Sequence, residues 1–375
     1  MEFTIKRNSF FEELSKTSKI IDYKSINPIL NCVLVELTND KLVLISTNGT
    51  LSIKCVLNSD NSHLEVKQTG RFLIKSKHIL EILKRLDDDL ITVIMVENNE
   101  IKIKTTKTEF NLNILDADDY PLIGFREKGI ELNIDAQEIK RTINQTIISI
   151  NEWNKKIVLT GMNFKIKDKK LLISATDMFR ISQKTIPLEL QENEDINITI
   201  PFKSILDLNK IIENTKQLKI LINENYATFI LDNTIFQSNL IDGQFPNVEG
   251  AFPQEFKTAI TVNSKTILKT LNRADLPTDD NLSSIINMKI QQNKIFFRST
   301  ITDIGTFEEE FDNFTSEKIE DLNINFNTRF LIEAIRSFDD EMIELKFVNN
   351  VKPVVINKKS SEDLKQVVLP TYITN

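Results

Sequence analysis

Three basic residues stand at one interval: Lys77, Lys203 and Arg329, each 126 positions from the next. A single Lys or Arg on a helix is ordinarily a solvated charge. The same charge returning at the same place in a repeated element can present a row of cations to a phosphate backbone. Other residues able to do chemistry are sparse. The two histidines, His63 and His78, have no HExxH-type partner, and no CxxC pair occurs, so metal ligation and general-base work have no constellation behind them. Gly is scarce at 8 residues, and the sequence holds no G-x-G-x-x-G loop, P-loop or G-x-S-x-G elbow. Acidic clusters at Asp87–Asp89, Asp116 to Asp119, Asp279-Asp280 and Glu308–Glu310 could bind Mg²⁺ or share a proton. They fall at helix ends, in linkers and on an edge strand, where solvated acids are ordinary. No catalytic residue, metal or cofactor is expected.

The cations sit in a repeated frame. The segments RFLIKSKHILEILKRL from Arg71, NITIPFKSILDLNKII from Asn197 and NINFNTRFLIEAIRSF from Asn323 each read as a short apolar strand, a polar break and an amphipathic helix. A second frame recurs at Phe3–Leu14, Glu131–Ile143 and Ala259–Leu271, with Ser9, Asp135 and Ser264 as expected N-caps. A strand pair follows it in each copy, turning at Asn39-Asp40, Lys167-Asp168 and Gln292-Asn293. More strands follow the second helix. A period of this length is a whole domain, not a solenoid unit. Linkers show as Tyr120-Pro121 and Phe245-Pro246, 125 apart. The expected fold is α+β with antiparallel sheet, in three tandem domains over 1–125, 126–253 and 254–375.

The net charge of −7 argues against simple nucleic-acid binding, but its distribution does not. The six expected helices (8–20, 76–86, 135–149, 203–213, 264–274, 327–338) hold fourteen Lys/Arg and eight Asp/Glu. That is +6 on the helices and −13 on the rest. Either these are solvated helix faces, or they are one face aimed at phosphate. The two cysteines, Cys32 and Cys55, lie in apolar strand patterns and suit buried free thiols in a reducing cytoplasm. No apolar run approaches the ~20 residues of a membrane span, and the N-terminus does not read as a signal peptide.

Further segments carry a family resemblance: NPILNCVLVE from Asn27, LNILDADDYP from Leu112, SATDMFRIS from Ser174, DGQFPNV from Asp242 and VVLP from Val367. In this order and spacing they make the chain resemble the bacterial sliding clamps, the beta subunits of DNA polymerase III, over its whole length. The resemblance implies a non-enzymatic, cytoplasmic, head-to-tail homodimeric ring around double-stranded DNA, with helices lining the hole and sheets outside. Such a ring tethers the replicative polymerase catalytic subunit, the clamp loader and repair proteins to DNA without reading its sequence. Helix width agrees with two chains per ring. Six helices, each ~10 Å across, close a hole of roughly 19 Å, too small for a duplex roughly 20 Å wide; twelve give about 38 Å. The alternative is a three-domain interaction scaffold that encircles nothing.

The resemblance also implies sites. A partner-peptide pocket between the second and third domains maps to Thr176, Met178, Phe179, Arg180, Ile181, Pro246, Val248, Asn327, Phe330, Val351, Val367, Val368, Leu369 and Pro370. Val367 and Val368 read equally well as core at the domain junction. Met178 and Phe179 replace the family's usual Gly and His, Glu249-Gly250 replaces a basic pair, and the end reads VVLPTYITN. Lys24 and Lys77 match basic positions facing DNA. Lys84, Arg85, Lys140, Arg141, Lys203, Lys210, Lys265, Lys269, Arg273, Arg329 and Arg336 join them through the repeat. Phe110 and Leu112, with Leu276 opposite, resemble the dimer seam. Lys102, Lys104 and Lys107 near one edge and Glu308–Glu310 near the other either favour head-to-tail closure or only block aggregation.

Overall fold

The computed structural model describes residues 1–97, 99–189, 195–212, 215–275, 284–291, 294–301 and 305–372. Leu276, Asp279-Asp280, Gln292-Asn293 and the last three residues lie outside them. The first repeat runs β1 (Glu2–Lys6), α1 (Arg7–Ser18), β2 (Val33–Leu37), β3 (Lys41–Thr47), β4 (Leu51–Asn58), the single turn α2 (Ser59–Ser62), β5 (Glu65–Gln68), β6 (Gly70–Ile74), α3 (Ser76–Arg85), β7 (Leu90–Glu97), β8 (Glu100–Lys104) and β9 (Glu109–Asn113). The second runs β10 (Ile130–Asp135), α4 (Ala136–Thr146), β11 (Gly161–Lys167), β12 (Lys170–Thr176), β13 (Arg180–Pro187), β14 (Ile196–Pro201), α5 (Phe202–Ile211), β15 (Gln217–Ile222), β16 (Tyr226–Leu231) and β17 (Thr234–Asn239). The third runs β18 (Thr258–Asn263), α6 (Ser264–Ala274), β19 (Ile285–Gln291), β20 (Lys294–Ile301), β21 (Gly305–Phe311), β22 (Thr315–Lys318), β23 (Leu322–Asn327), α7 (Thr328–Arg336), β24 (Met342–Phe347), β25 (Val354–Lys358) and β26 (Leu364–Val368).

Residue pattern explains the elements. In β2 and β4 every second side chain is buried, the period-2 signature of a sheet with one covered face. In α3 and α7 the buried residues fall three and four apart (Ile79 and Leu83; Leu331, Ile332 and Ile335), giving one apolar stripe. Each fully buried Leu or Ile contributes roughly 1.5–3 kcal/mol.

Helix starts depart from sequence expectation at two of three places. Asp135 does cap α4, accepting from the Glu138 N–H at 2.9 Å. Ser9, however, lies inside α1, and Asn263 rather than Ser264 caps α6, accepting from Thr266 N at 3.2 Å. In α6 the Ser264 hydroxyl is already engaged, donating to the Asp339 carbonyl and accepting from Glu341 N at 3.2 Å. The first N–H of each helix, at Arg7, Ala136 and Ser264, donates to a carbonyl after the repeat's second helix: Asp89, Lys216 and Glu341, at 2.8, 2.9 and 3.0 Å. The second hairpin turns one residue later than expected, at Asp168-Lys169, both with positive φ (51° and 57°).

All strand pairing described is antiparallel, in four sheets. An eight-stranded sheet in the order β10-β15-β16-β17-β4-β3-β2-β6 joins the second repeat to the first, through β17 on β4. A nine-stranded sheet in the order β14-β11-β12-β13-β26-β25-β24-β18-β22 joins the third to the second, through β26 on β13. The remaining sheets, β5-β1-β7-β8-β9 and β21-β20-β19-β23, end in β9 and β21. Packing therefore divides the chain into two compact units, 1–140 with 203–240 and 141–202 with 241–375, each built around one shared sheet. In the first unit α1 packs on α3; in the second α6 packs on α7. Cys32 and Cys55 are buried free thiols, and burial pushes Cys55 up to about 12, so it is inert.

Candidate partner-binding and DNA-facing surfaces

The turn between β12 and β13 is built by its own side chains. The Asp177 carboxylate accepts from the Phe179 and Arg180 N–H groups at 2.9 and 3.0 Å. The Thr176 hydroxyl accepts from Met178 N at 3.1 Å and donates to the Arg180 carbonyl at 2.7 Å. This is an Asx turn doubled by a threonine, which fixes the backbone without a glycine. Met178 is strained by it, with φ at +80°, and both Met178 and Phe179 project into solvent, 52 % and 62 % exposed.

Arg180 is held from three sides. Its Nε donates to Asp177 Oδ2 at 2.9 Å, a terminal nitrogen donates to Glu333 on α7, and the guanidinium lies 4.2 Å from the centre of the Phe330 ring. Asn327 caps α7 by accepting from Phe330 N at 3.1 Å, which sets the ring in place. Beyond β26 the chain stays attached: Leu369 N donates to Phe179 O at 2.9 Å and Thr371 N to Asn325 O at 2.8 Å. Leu369 is left partly exposed, with Pro370 between the two anchored residues. Thr176, Met178, Phe179, Arg180, Asn327, Phe330, Leu369 and Pro370 thus gather around one hydrogen-bonded centre.

The remaining pocket candidates separate. Ile181 pairs with Val367 across β13 and β26, but Val367 and Val368 are buried, at 2 % and 0 %, and Val368 belongs to the apolar core of the third repeat. They form the floor of the junction. Val351 is half exposed, between β24 and β25. Pro246 and Val248 line a cleft of about 470 Å³ over Ser174 and Gln183. Glu249 pins that linker: it accepts from Lys165 at 3.2 Å and Lys167 at 3.0 Å, and the Lys167 ammonium, then Lys165, holds its carboxyl below the usual range. Sequence reasoning missed Asp177 and Glu333. Asp177 was readable as an Asx residue ahead of a turn. Glu333 lies 153 positions from Arg180, and no local signal links them.

The basic candidates divide into two groups. Lys24, Lys77, Lys84, Arg141, Lys203, Lys269 and Arg329 are exposed and have no ion-pair partner among the described residues. The others have local work. Arg273 grips Glu309 with two nitrogens, Lys265 pairs with Asp340 at 2.8 Å, Lys210 with Asp207 at 2.9 Å, and Arg85 with Glu81 at 3.4 Å. Lys140 caps α5 through the Ile212 carbonyl at 2.6 Å, and Arg336 reaches Asn272 at 3.5 Å. Edge charges are also settled within their own sheets. Lys102 and Lys104 pair with Glu109; Glu308, Glu309 and Glu310 pair with Arg298, Arg273 and Lys294. The three acids near β21 are each matched by a cation, whereas Lys102 and Lys104 share the one carboxylate of Glu109 and Lys107 is exposed. Phe110 and Leu112 on β9 are half-buried, opposite Ile103 and Ile101 of β8.

Three copies of one α+β domain, joined by shared antiparallel sheets, define a protein of tandem repeats. Known proteins agree. The DNA polymerase III beta subunit family matches in three parts: its N-terminal domain over residues 1–124, its central domain over 133–247 and its C-terminal domain over 249–372. A beta sliding clamp of Mycoplasma capricolum is 52 % identical over 375 residues, all of both chains, and that of Bacillus subtilis is 28 % identical over 99 % of each. The crystal structure of the Bacillus subtilis DNA polymerase sliding clamp superposes with a TM-score of 0.94 at 27 % identity, covering 100 % of both chains. That of the Streptococcus pyogenes beta subunit gives 0.93 at 23 % identity. The chain belongs to the DNA polymerase III beta-subunit family, the sliding clamps.

Proposed function

We propose that this clamp is a DNA polymerase processivity factor that works as a ring of two chains around duplex DNA in the cytoplasm. It catalyses nothing itself. It holds the polymerase, the clamp loader and repair proteins at the template through peptides seated around Phe179, Arg180 and Leu369. The exposed cations Lys24, Lys77, Lys84, Arg141, Lys203, Lys269 and Arg329 attract phosphate without fixing position, which sliding requires.

One observation carries the closure. Inside the chain, the last strand of one repeat pairs with the fourth strand of the repeat before it: β17 with β4, β26 with β13. The strands left over are β9, the last of the first repeat, and β21, the fourth of the third repeat. Pairing β9 of one copy with β21 of the next continues the rule, head to tail, and such an interface makes a ring if the rotation closes. The rule also supplies a register. Phe236 lies opposite Ile53, and Gln366 opposite Ser182. Their equivalents are Phe110, which pairs with Ile103 as Phe236 pairs with Phe229, and Phe307, which pairs with Ser299 as Ile53 pairs with Ser46. Phe236, covered by its neighbour, is fully buried, while Phe110 is only half-buried and awaits a cover. Phe307 is thereby set opposite Phe110; Leu276, which the family resemblance also places at this seam, lies outside the described residues.

The test pairs Phe110→Cys with Phe307→Cys in one chain. Cβ atoms directly opposite across antiparallel strands are ~4.5–5.5 Å apart, within reach of a disulfide. Mild oxidation should yield a covalent dimer that stays on nicked circular DNA after loading and leaves when the circle is cut. A sedimenting dimer that never cross-links overturns the register; a cross-linked ring that survives cutting on the DNA overturns encirclement.

A further inference from the structure

A cleft of about 360 Å³ opens in the first repeat, between the start of α3 and the chain leaving β9. Leu73, Ile74 and Ile114 make a buried floor, and Leu112 and Leu115 an apolar wall. Lys75 and His78 stand exposed on its rim, and no carboxylate pairs with either among the described residues. The repeat tells what the cleft corresponds to. Lys75 and His78 lie two intervals of 126 before Asn327 and Phe330. Leu115 and Leu73 exchange backbone hydrogen bonds at 2.9 and 3.0 Å, where Thr371 N donates to Asn325 O at 2.8 Å. Asn113 and Ile114 thus match Leu369 and Pro370. The cleft is the first repeat's counterpart of the α7 side of the Arg180 site. In the second repeat the same place is filled: Ser238 donates to Ser204 at 2.7 Å, and both are buried.

We propose that this cleft is a second peptide site, selective for an acidic partner segment. An apolar anchor sits on the floor beside Leu112 and Leu115, and flanking carboxylates meet the Lys75 ammonium and a His78 ring nitrogen. The inference rests on the peptide reading of the Arg180 turn, from which the correspondence is drawn. Chemistry separates the two sites. The Arg180 site offers an aromatic ring at Phe330 and a neutral amide at Asn327, whereas the first repeat offers an imidazole and an ammonium at those places. In the ring, β21 of the neighbouring copy runs beside this cleft as β13 runs beside the Arg180 site, so closure walls the cleft without filling it. Each chain then holds two partners of different charge at once.

The experiment measures fluorescence anisotropy of labelled peptides with a Leu-Leu anchor flanked on both sides by two Glu or by two Gln. The glutamate peptide should still bind a Phe179→Ala clamp, about three- to fivefold more tightly than its glutamine twin, the scale of one exposed ion pair, and the advantage should shrink with salt. Adding Lys75→Gln with His78→Gln should erase that advantage. In the wild-type background the same pair should leave the glutamine peptide, seated at Arg180, bound as before. If Phe179→Ala abolishes binding of both peptides, the Arg180 turn is the only peptide site and the cleft falls. If the glutamate peptide binds the wild-type chain but not the oxidised ring of the Phe110→Cys, Phe307→Cys variant, the second copy fills the cleft and the proposal falls. A glutamine peptide indifferent to Phe179→Ala refutes instead the reading of the Arg180 turn.

Discussion

Arg180 is more than a surface hydrogen-bond donor. Its side chain is 11 % exposed, between a carboxylate that is 6 % exposed and a second that is 32 % exposed. Removing one partner of such a group leaves the other charges uncompensated. Arg180→Ala is therefore expected to destabilise the clamp by about 3 kcal/mol in a denaturant titration, the low end of the range because Glu333 meets water. Arg180→Lys should not restore it, since an ammonium cannot serve both carboxylates and stack on Phe330. Lost peptide binding in Arg180→Ala would mix unfolding with recognition. Phe179→Ala removes only an exposed ring and is the clean probe, expected to weaken peptide binding with the denaturation midpoint unchanged. The resemblance of SATDMFRIS pointed to Thr176 and Arg180, while Asp177, an Asx residue ahead of the turn, was missed. It could not show that Arg180 is anchored on α7, because that contact depends on β26 bringing the third repeat alongside β13.

At the scale of elements, β26 is both the last strand of the third repeat and the partner of β13. Truncation before Leu364 would remove core, whereas removal of the residues after Pro370 leaves every strand in place. A buried clasp locks the same junction: Lys184 on β13, 4 % exposed, meets Asp363, which lies just before β26 and is also held by Ser361. Burial alone would raise the Asp363 carboxyl; the Lys184 ammonium and the Ser361 hydroxyl overcome it and bring it down to about 2. A carboxyl depressed in the folded state adds stability above its unfolded value near 3.8, and that stability is lost as pH falls toward about 2. Acid unfolding between about pH 4 and pH 2 should become shallower in Asp363→Asn, measured by circular dichroism; an unchanged slope would mean the clasp contributes nothing. The strands and helices themselves were legible from periodicity and the 126-residue interval. The caps were less so. Ser9 has the right chemistry but lies inside α1, and the Ser264 hydroxyl is engaged with Asp339 and Glu341, a contact 75 residues or more away that no local pattern shows.

At the scale of the whole molecule, the charge distribution predicts graded behaviour. Seven exposed helix and loop cations have no ion-pair partner among the described residues, while Arg273, Lys265 and Lys210 are neutralised in place. Lys77→Ala with Lys203→Ala and Arg329→Ala should speed escape of the clamp from linear DNA and lower the salt slope of binding by about one for each phosphate that is no longer neutralised. Arg273→Ala should change neither. Equal effects from both sets would mean that the ion pairs open on DNA. The threefold plan was visible in the sequence because repeated residues keep their spacing; the sharing of sheets between repeats was not, because strand order is decided by non-local pairing.

The joints of such a ring are alike in hydrogen bonding but not in their dependence on dilution. Where β17 meets β4 and β26 meets β13, the partners are tied by the same backbone, and each strand finds the other at an effective concentration that short tethers place in the millimolar range. A joint between β9 and β21 has no tether. Identical chemistry then gives each chain two permanent seams, and the ring two further seams whose occupancy follows the number of clamps in the cell. Lowering that number opens the ring at the same two places every time, and an opener need only pull where the chain is not continuous.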